Sequence, residues 1–547
     1  MNKTVIQHVL SRLHSIGISD VFGVAGDYAF PIEDAVCADQ NLRWIGSCNE
    51  LNAAYSADGY ARIKGTAAVS TTYAVGELSA INGIGGSYAE YLPVFHLVGM
   101  PARRVQAAHR MVHHTLGNGQ FDLFYKMAEP VVCVQAIMTP ENCIAETERL
   151  ITSALYHRRP AYMAFPSDCA NMPVNGRPTQ IAPPTTDADA LEAAVKAIVD
   201  AVSASNSACI LPGIIVSRCG LSNQAAAVVG ASGLPFATMF MDKCVLDETH
   251  PKYIGMYDGR LMNEEVRAFV EGCDCVLGIG AMMTDFNTGA FTARIDRSKT
   301  INIMHNSVRV GRAIYNNVEM KDMLVALANR LPHKNLRAPC VHGLGQPAGK
   351  PNDRITVEYL YPRWQQMLKP NDILIAETGT ASMGLGFAKM PKGSTFQNQT
   401  LWASIGWATP AAFGAALAAP TRRTILITGD GSHQLTAQEI GQFHRFGLKP
   451  IIFVLNNDGY LIERLLCKDP ESYYNDIAQW HYLKLPEALG CDGWFTARAT
   501  TCHELDNAIK DAEVCGTGAY IEVVTDKYAA APLAQKLHDS IATLYAA

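Results

Sequence analysis

Apolar positions recur along this chain with two periods. Val5, Val9, Leu10, Leu13 and Ile16 fall at helical spacing, with Thr4 placed to cap the first turn and Gly17 to end the last. The short apolar run Val21–Val24 follows at once. A second stretch repeats the theme: Leu191, Val195, Ile198 and Val202 form a helical stripe, and Ala208–Leu211 and CVLGIG (275–280) read as strands. A third predicts strands at Ile373–Ala376, Thr424–Thr428 and Pro450–Leu455 with helical segments between them. Near the C-terminus Leu533, Leu537, Ile541 and Leu544 share one helical face. Strands alternating with helices predict an α/β protein whose parallel sheets carry helices on both faces. Two aperiodic stretches rich in Pro, Gly and polar residues, 169–187 and 331–353, read as linkers. They divide the chain into blocks 1–180, 188–338 and 355–547, each expected to be one doubly wound domain.

Composition narrows the class. A chain of 547 residues exceeds one ordinary core, and 48% hydrophobic with 18% charged residues is a globular mixture. The net charge of −6 offers no basic field for nucleic acid or anionic lipid. No apolar run approaches the ~20 residues of a membrane span. Fifteen cysteines are dispersed and form no CxxC pair, and His8, Arg12 and His14 break the N-terminal apolar pattern. Reduced thiols and a cytoplasmic location are expected.

In parallel sheets, ligands gather beyond the carboxyl ends of strands. Gly429-Asp430-Gly431-Ser432 follows the strand at Thr424–Thr428, and Asn456-Asn457-Asp458-Gly459-Tyr460 follows the one at Pro450–Leu455. Asp430 and Asn457, with the carbonyl of Gly459, supply hard oxygen ligands of the kind Mg²⁺ uses beside a diphosphate. The glycines admit close backbone approach, and a helix is expected to begin near Leu435 and point its N–H groups at the anion. Either motif alone is an ordinary turn. Set 27 residues apart, each directly after an apolar strand, they point to one site. No GxxxxGK[ST], HExxH or GxSxG motif occurs, and GIGAMM (278–283) lacks the third glycine of a dinucleotide fingerprint.

This pairing resembles the GDG…NN signature of thiamine-diphosphate enzymes, and the whole chain resembles the 2-oxo acid decarboxylases: the pyruvate, branched-chain 2-keto acid and indolepyruvate decarboxylases. The resemblance implies thiamine-diphosphate-enzyme architecture, with a pyrimidine-binding domain (1–180), a middle domain without cofactor (188–338) and a diphosphate- and Mg²⁺-binding domain (355–547). It also implies an active site between two subunits of a homodimer, and a dimer of dimers. Glu50, in CNELNAAYSADGYAR, matches the carboxylate that protonates N1′ of the aminopyrimidine, so that the 4′-nitrogen can generate the C2 ylid. Asp27, His113, His114 and Glu463 match the groups that hold the substrate carboxylate and relay protons. Thr378, Gly379, Ala403 and Ile405 match the segments that grip the pyrimidine, with Ile405 as the wedge beneath thiamine. Asp430, Gly431, Ser432, Asn457, Gly459 and Ile462 match the rest of the cofactor site, with Asp430, Asn457 and Gly459 on the metal.

Phe286, Ser382, Ile462 and Leu466 match the substrate pocket. Ser382 stands where bacterial pyruvate-specific enzymes carry tryptophan, Phe286 is as in the yeast enzymes, and Leu466-Cys467-Lys468 replaces a common IHG. The expected reaction is the non-oxidative decarboxylation of small 2-oxo acids, pyruvate and branched or aromatic acids, to aldehyde and CO2. The alternative is a carboligase of acetolactate-synthase type. The adjacent His113 and His114 with Glu463 argue against it, because a synthase needs no relay to release an aldehyde.

Overall fold

A computed structural model describes residues 3–174, 176, 181–340 and 343–539. Its first sheet takes six parallel strands, Asp20–Gly23, Arg43–Gly46, Ala67–Thr71, Val94–Met100, Val134–Ile137 and Ala161–Pro166, in the spatial order 2-1-3-4-6-5. The third sheet has the same order, built from Ile373–Ala376, Thr395–Gln397, Thr424–Gly429, Ile451–Asn456, Phe495–Ala499 and Ala519–Val524. Strands such as Ala67–Thr71 and Val94–Met100 are buried along their whole length, because helices cover both faces. The middle sheet has seven strands. Five are parallel, and the hairpin Ser307–Val310 and Ala313–Asn316 adds two antiparallel strands at one edge.

The periodic segments become elements with small shifts. Helix Val5–Ser15 opens on Thr4, whose hydroxyl accepts from Gln7 N–H while Gln7 returns a bond to the Thr4 N–H. The following strand is Asp20–Gly23, one residue earlier than the apolar run suggests. The strand expected from Pro450 starts at Ile451 and extends to Asn456, as Pro has no N–H for the ladder. The last helix, Pro532–Asp539, carries Leu533 and Leu537; Ile541 and Leu544 lie outside the described residues. The connection from Cys275–Ile279 to Thr300–Ile303 holds only the short 3₁₀ turns Phe286–Thr288 and Arg297–Lys299. That irregular loop is free to reach the third domain.

The first and third sheets join through helices Glu50–Lys64 and Ala408–Ala418. A Cβ on Gly59 would stand 2.1 Å from the Ala411 carbonyl oxygen, and one on Gly414 would stand 1.8 Å from that of Ser56. Only small residues allow this approach, and every residue from Asn52 to Ala61 is buried. Asp58 gathers three donors within the seam. Arg62 Nε donates to Asp58 Oδ1 at 2.7 Å, Trp407 Nε1 donates to the same oxygen at 2.9 Å, and Ser87 Oγ donates to Asp58 Oδ2 at 2.8 Å. Removing one partner of such a buried pair costs roughly 3–5 kcal/mol. Among the described residues, no helix is long and apolar enough to cross a membrane.

Candidate active site

Two strand ends of the third sheet build the candidate metal corner. Asp430 is the first residue of helix Asp430–Thr436, directly after strand Thr424–Gly429. The helix therefore starts at the carboxylate itself, and Leu435 sits in its last turn instead of its first. The reason is local: Gly431 N–H donates to Asp430 Oδ1 at 2.8 Å, which settles the first turn there. Gly459 N–H donates to Asp430 Oδ2 at 3.1 Å and ties in the neighbouring loop. Burial raises the Asp430 carboxyl to about 6, against the pull of these N–H groups.

The Asn457 side-chain oxygen stands 3.0 Å from the Gly459 carbonyl oxygen and 3.2 Å from Asp430 Oδ1. With its NH2 turned inward the amide donates to both of these oxygens; with its oxygen inward, carboxylate, amide oxygen and carbonyl form the donor set that Mg²⁺ accepts. The residues fit the ion. Gly459 holds φ +131°, and a Cβ there would meet the Asn475 carbonyl oxygen at 2.2 Å. Behind the loop, the buried Arg464 donates to the carbonyl oxygens of Asn457 (3.3 Å) and Asp458 (2.5 Å) and to Asp476 (3.0 Å).

Above this corner lie two adjoining cavities of about 180 and 360 Å³. Asp430, Gly431, Ser432, Asn457 and Gly459 line the smaller one. Thr378, Gly379, Ile405, Ile462 and Glu463 line both. Ala403, Leu466 and Phe286 line the larger one, whose other walls include Phe240, Leu261, Leu533 and Leu537. Ile462, Glu463 and Leu466 come from one helix, Leu461–Leu466. Gly379 (φ +110°) and Ala403 (φ +57°) hold left-handed backbone at the ends of the two gripping segments.

Glu377, which sequence reasoning passed over, binds these segments together. Its carboxyl accepts from Thr378 N–H (3.1 Å), Ala408 N–H (3.3 Å) and Thr428 Oγ1 (3.3 Å). Burial pushes it up to about 7. Arg464 was passed over as well. Both adjoin residues already singled out, Thr378 and Glu463, and that adjacency is the one signal the sequence offers.

Ser382 sits back from both cavities. It is buried within helix Thr380–Leu385, its hydroxyl donates to the Gly379 carbonyl oxygen at 3.0 Å, and it lines neither cavity. Met383 takes the place on the wall. One residue along a helix turns the side chain by about 100°, and alignment to a relative does not reveal which of two neighbours faces in.

The remaining candidates gather at the first sheet, away from these cavities. Asp27 opens the turn after strand Asp20–Gly23, supported by Gly26 N–H donating to the buried Glu33 at 3.0 Å. Asp27 Oδ2 and His113 Nε2 are 2.6 Å apart. The Tyr28 ring stacks on His113 at a centroid distance of 4.9 Å, and His114 meets His113 edge-on at 4.8 Å. Glu50 is the first residue of its helix, with Asn49 capping, and its Oε1 lies against Gly76, where a Cβ would come within 3.3 Å. Within one chain, then, Asp27, His113 and His114 meet each other, but neither they nor Glu50 line the cavities of the third domain.

Three family models match the chain: Thiamine pyrophosphate enzyme, N-terminal TPP binding domain, over residues 3–121; the central domain over 195–329; and the C-terminal TPP binding domain over 377–523. The fold and the site define a thiamine pyrophosphate enzyme. Similar proteins include the alpha-keto-acid decarboxylase of Mycobacterium leprae, 38% identical over 536 residues that span 96% of this chain and 93% of that one. Those of Mycobacterium tuberculosis (38% over 512 residues, 92% and 91%) and Mycobacterium ulcerans (37% over 545 residues, 98% and 96%) are alike. The chain belongs to this family of thiamine-diphosphate-dependent 2-oxo acid decarboxylases.

Proposed function

We propose that the protein converts 2-oxo acids to aldehyde and CO2 at a site completed by two copies of the chain. Mg²⁺ and the diphosphate sit at Asp430, Asn457 and Gly459 of one subunit. Glu50, Asp27, His113 and His114 come from the other. The observation that carries this reading is the meeting of the Asp430 carboxyl, the Asn457 amide and the Gly459 carbonyl below a wall, Thr378 to Glu463, that is shared with an apolar cavity. Exposed apolar side chains flank both halves: Phe30 near Asp27, Met111 and Leu116 around the histidine pair, and Leu435 on the Asp430 helix. Such surface favours burial against a second copy.

Bound thiamine diphosphate supplies the nucleophilic carbon and the electron sink that decarboxylation requires. The chain's residues do the rest. Glu50 would hold a proton at N1′ of the pyrimidine, Ile405 would pack beneath the cofactor, and Asp27 Oδ2 and His113 Nε2, 2.6 Å apart, would pass a proton between them. Phe286, Ile462 and Leu466 pack the substrate side chain, so side chains larger than that of pyruvate are accepted.

The test is CO2 release and aldehyde formation by protein supplied with thiamine diphosphate and Mg²⁺. Pyruvate, 3-methyl-2-oxobutanoate, phenylpyruvate and indolepyruvate are the substrates. Turnover that needs both additions is expected. No release from any of the four overturns the proposal, and 2-acetolactate as main product from pyruvate moves the protein to the carboligases.

A further inference from the structure

We infer that the far wall of the substrate cavity recognises a hydrogen-bond donor on the substrate's side chain, and that Asp258 is the residue that receives it. The inference rests on the decarboxylase reading above and adds the substrate class.

Asp258 follows strand Tyr253–Met256 and lines the 360 Å³ cavity beside Phe240, Leu261 and Phe286, in the part not shared with the diphosphate crevice. It is 2% exposed, and its Oδ2 has no hydrogen-bond partner among the described residues. Burial alone holds the carboxyl well above its usual range; no neighbouring charge offsets it. Gly289, at φ +56°, passes directly against it, where a Cβ would meet Asp258 Oδ1 at 3.0 Å and its carbonyl oxygen at 2.3 Å. Any side chain there would press on the carboxyl. Asp285 adds a second carboxyl to the same cavity, its side chain accepting from Phe286 N–H at 2.9 Å. None of the described residues lining the cavity is Lys, Arg or His.

A buried carboxyl without a partner is costly, and it persists where the partner arrives with a ligand. The apolar walls accept a methylene or aromatic stem. The carboxyls beyond them accept a terminal O–H or N–H. A cavity built to pair a donor discriminates strongly against the analogue that lacks it.

The experiment measures kcat/KM of the loaded enzyme for two matched pairs: 4-hydroxyphenylpyruvate against phenylpyruvate, and 5-guanidino-2-oxopentanoate against 2-oxohexanoate. Preference for the donor-bearing member of at least one pair, about tenfold for a single hydrogen bond, is expected in the natural protein. Asp258→Leu should abolish it while apolar acids are still turned over. Asp258→Asn, close in size and still an acceptor, should keep a hydroxyl preference and lose a guanidinium one. Binding is read separately, by calorimetry of 3-(4-hydroxyphenyl)propanoate against 3-phenylpropanoate, so a poorly folding leucine variant does not leave the question open. Unchanged ratios in Asp258→Leu, or a natural enzyme that favours the apolar member of both pairs, overturns the inference. Absence of CO2 from every acid would instead count against the decarboxylase reading.

Discussion

Replacing Glu377 by glutamine removes an ionisable hydrogen from the junction between segments 378–379 and 403–405. Glu377 is 1% exposed and accepts from Thr378, Ala408 and Thr428. Its carboxyl titrates at about 7 in the fold against 4.5 for the ordinary group, burial being the cause. The folded state therefore keeps a proton that the unfolded state has already released. Stability from this group is full below 4.5 and is lost as pH climbs to about 7. The span is worth about 3 kcal/mol. Glutamine keeps the acceptor oxygen but brings an NH2 that finds no ready acceptor, a pH-independent cost of about 1–3 kcal/mol. The variant should melt below the natural protein at pH 5, and the gap should close or reverse by pH 8. For a cooperative unit of 150–250 residues, a change of about 3 kcal/mol moves Tm by roughly 6–12 °C. Calorimetric scans of cofactor-free protein at pH 5, 6, 7 and 8 measure it. Glu33 and Glu77 are also raised to about 7, so the informative quantity is the difference between the two proteins. A Tm gap that stays constant with pH refutes the reasoning.

Three further outcomes follow from the site. Asp430→Ala and Asn457→Ala each remove one of three proposed metal ligands, so the Mg²⁺ concentration for half-maximal thermal stabilisation by cofactor should rise at least tenfold; an unchanged titration contradicts the assignment. Glu50→Gln should retain cofactor binding, measured by calorimetry, while kcat falls by two orders of magnitude or more; near-native turnover of the saturated variant removes Glu50 from the chemistry. Ser382→Trp should lower Tm and soluble yield, because the indole must enter a packed helix; a well-folded variant with a narrowed substrate range would restore Ser382 to the pocket.

Much of this was legible because it is local. An apolar strand followed by GDG or NNDG is a pattern of a dozen residues, and Asp430, Asn457 and Gly459 do meet at adjacent strand ends. Alternation of period identified α/β layers, although the antiparallel edge at Ser307–Asn316 carries no distinguishing pattern. What stayed hidden depends on partners remote in sequence. Glu377 matters because Thr428, 51 residues on, bonds to it. Asp258 is distinctive because no described residue does. Ser382 and Met383 differ by one step around a helix, which neither composition nor resemblance resolves. The separation of Glu50 from Asp430 within one chain is likewise invisible until both sheets are placed.

Helices Glu50–Lys64 and Ala408–Ala418 occupy equivalent places in two sheets of identical strand order, each between the second and third strands. Their pairing imposes a delay on the growing chain. The first helix ends at Lys64 and the second is complete only at Ala418, 354 residues later. At roughly 5–20 residues per second, the first helix waits on the order of 20–70 s for its mate. Where it meets its mate the first helix presents Ser56 and Gly59, which offer neighbouring nascent chains little apolar area to hold. The same small side chains that let two backbones touch in the finished protein keep the unfinished one from sticking to a ribosome's other products.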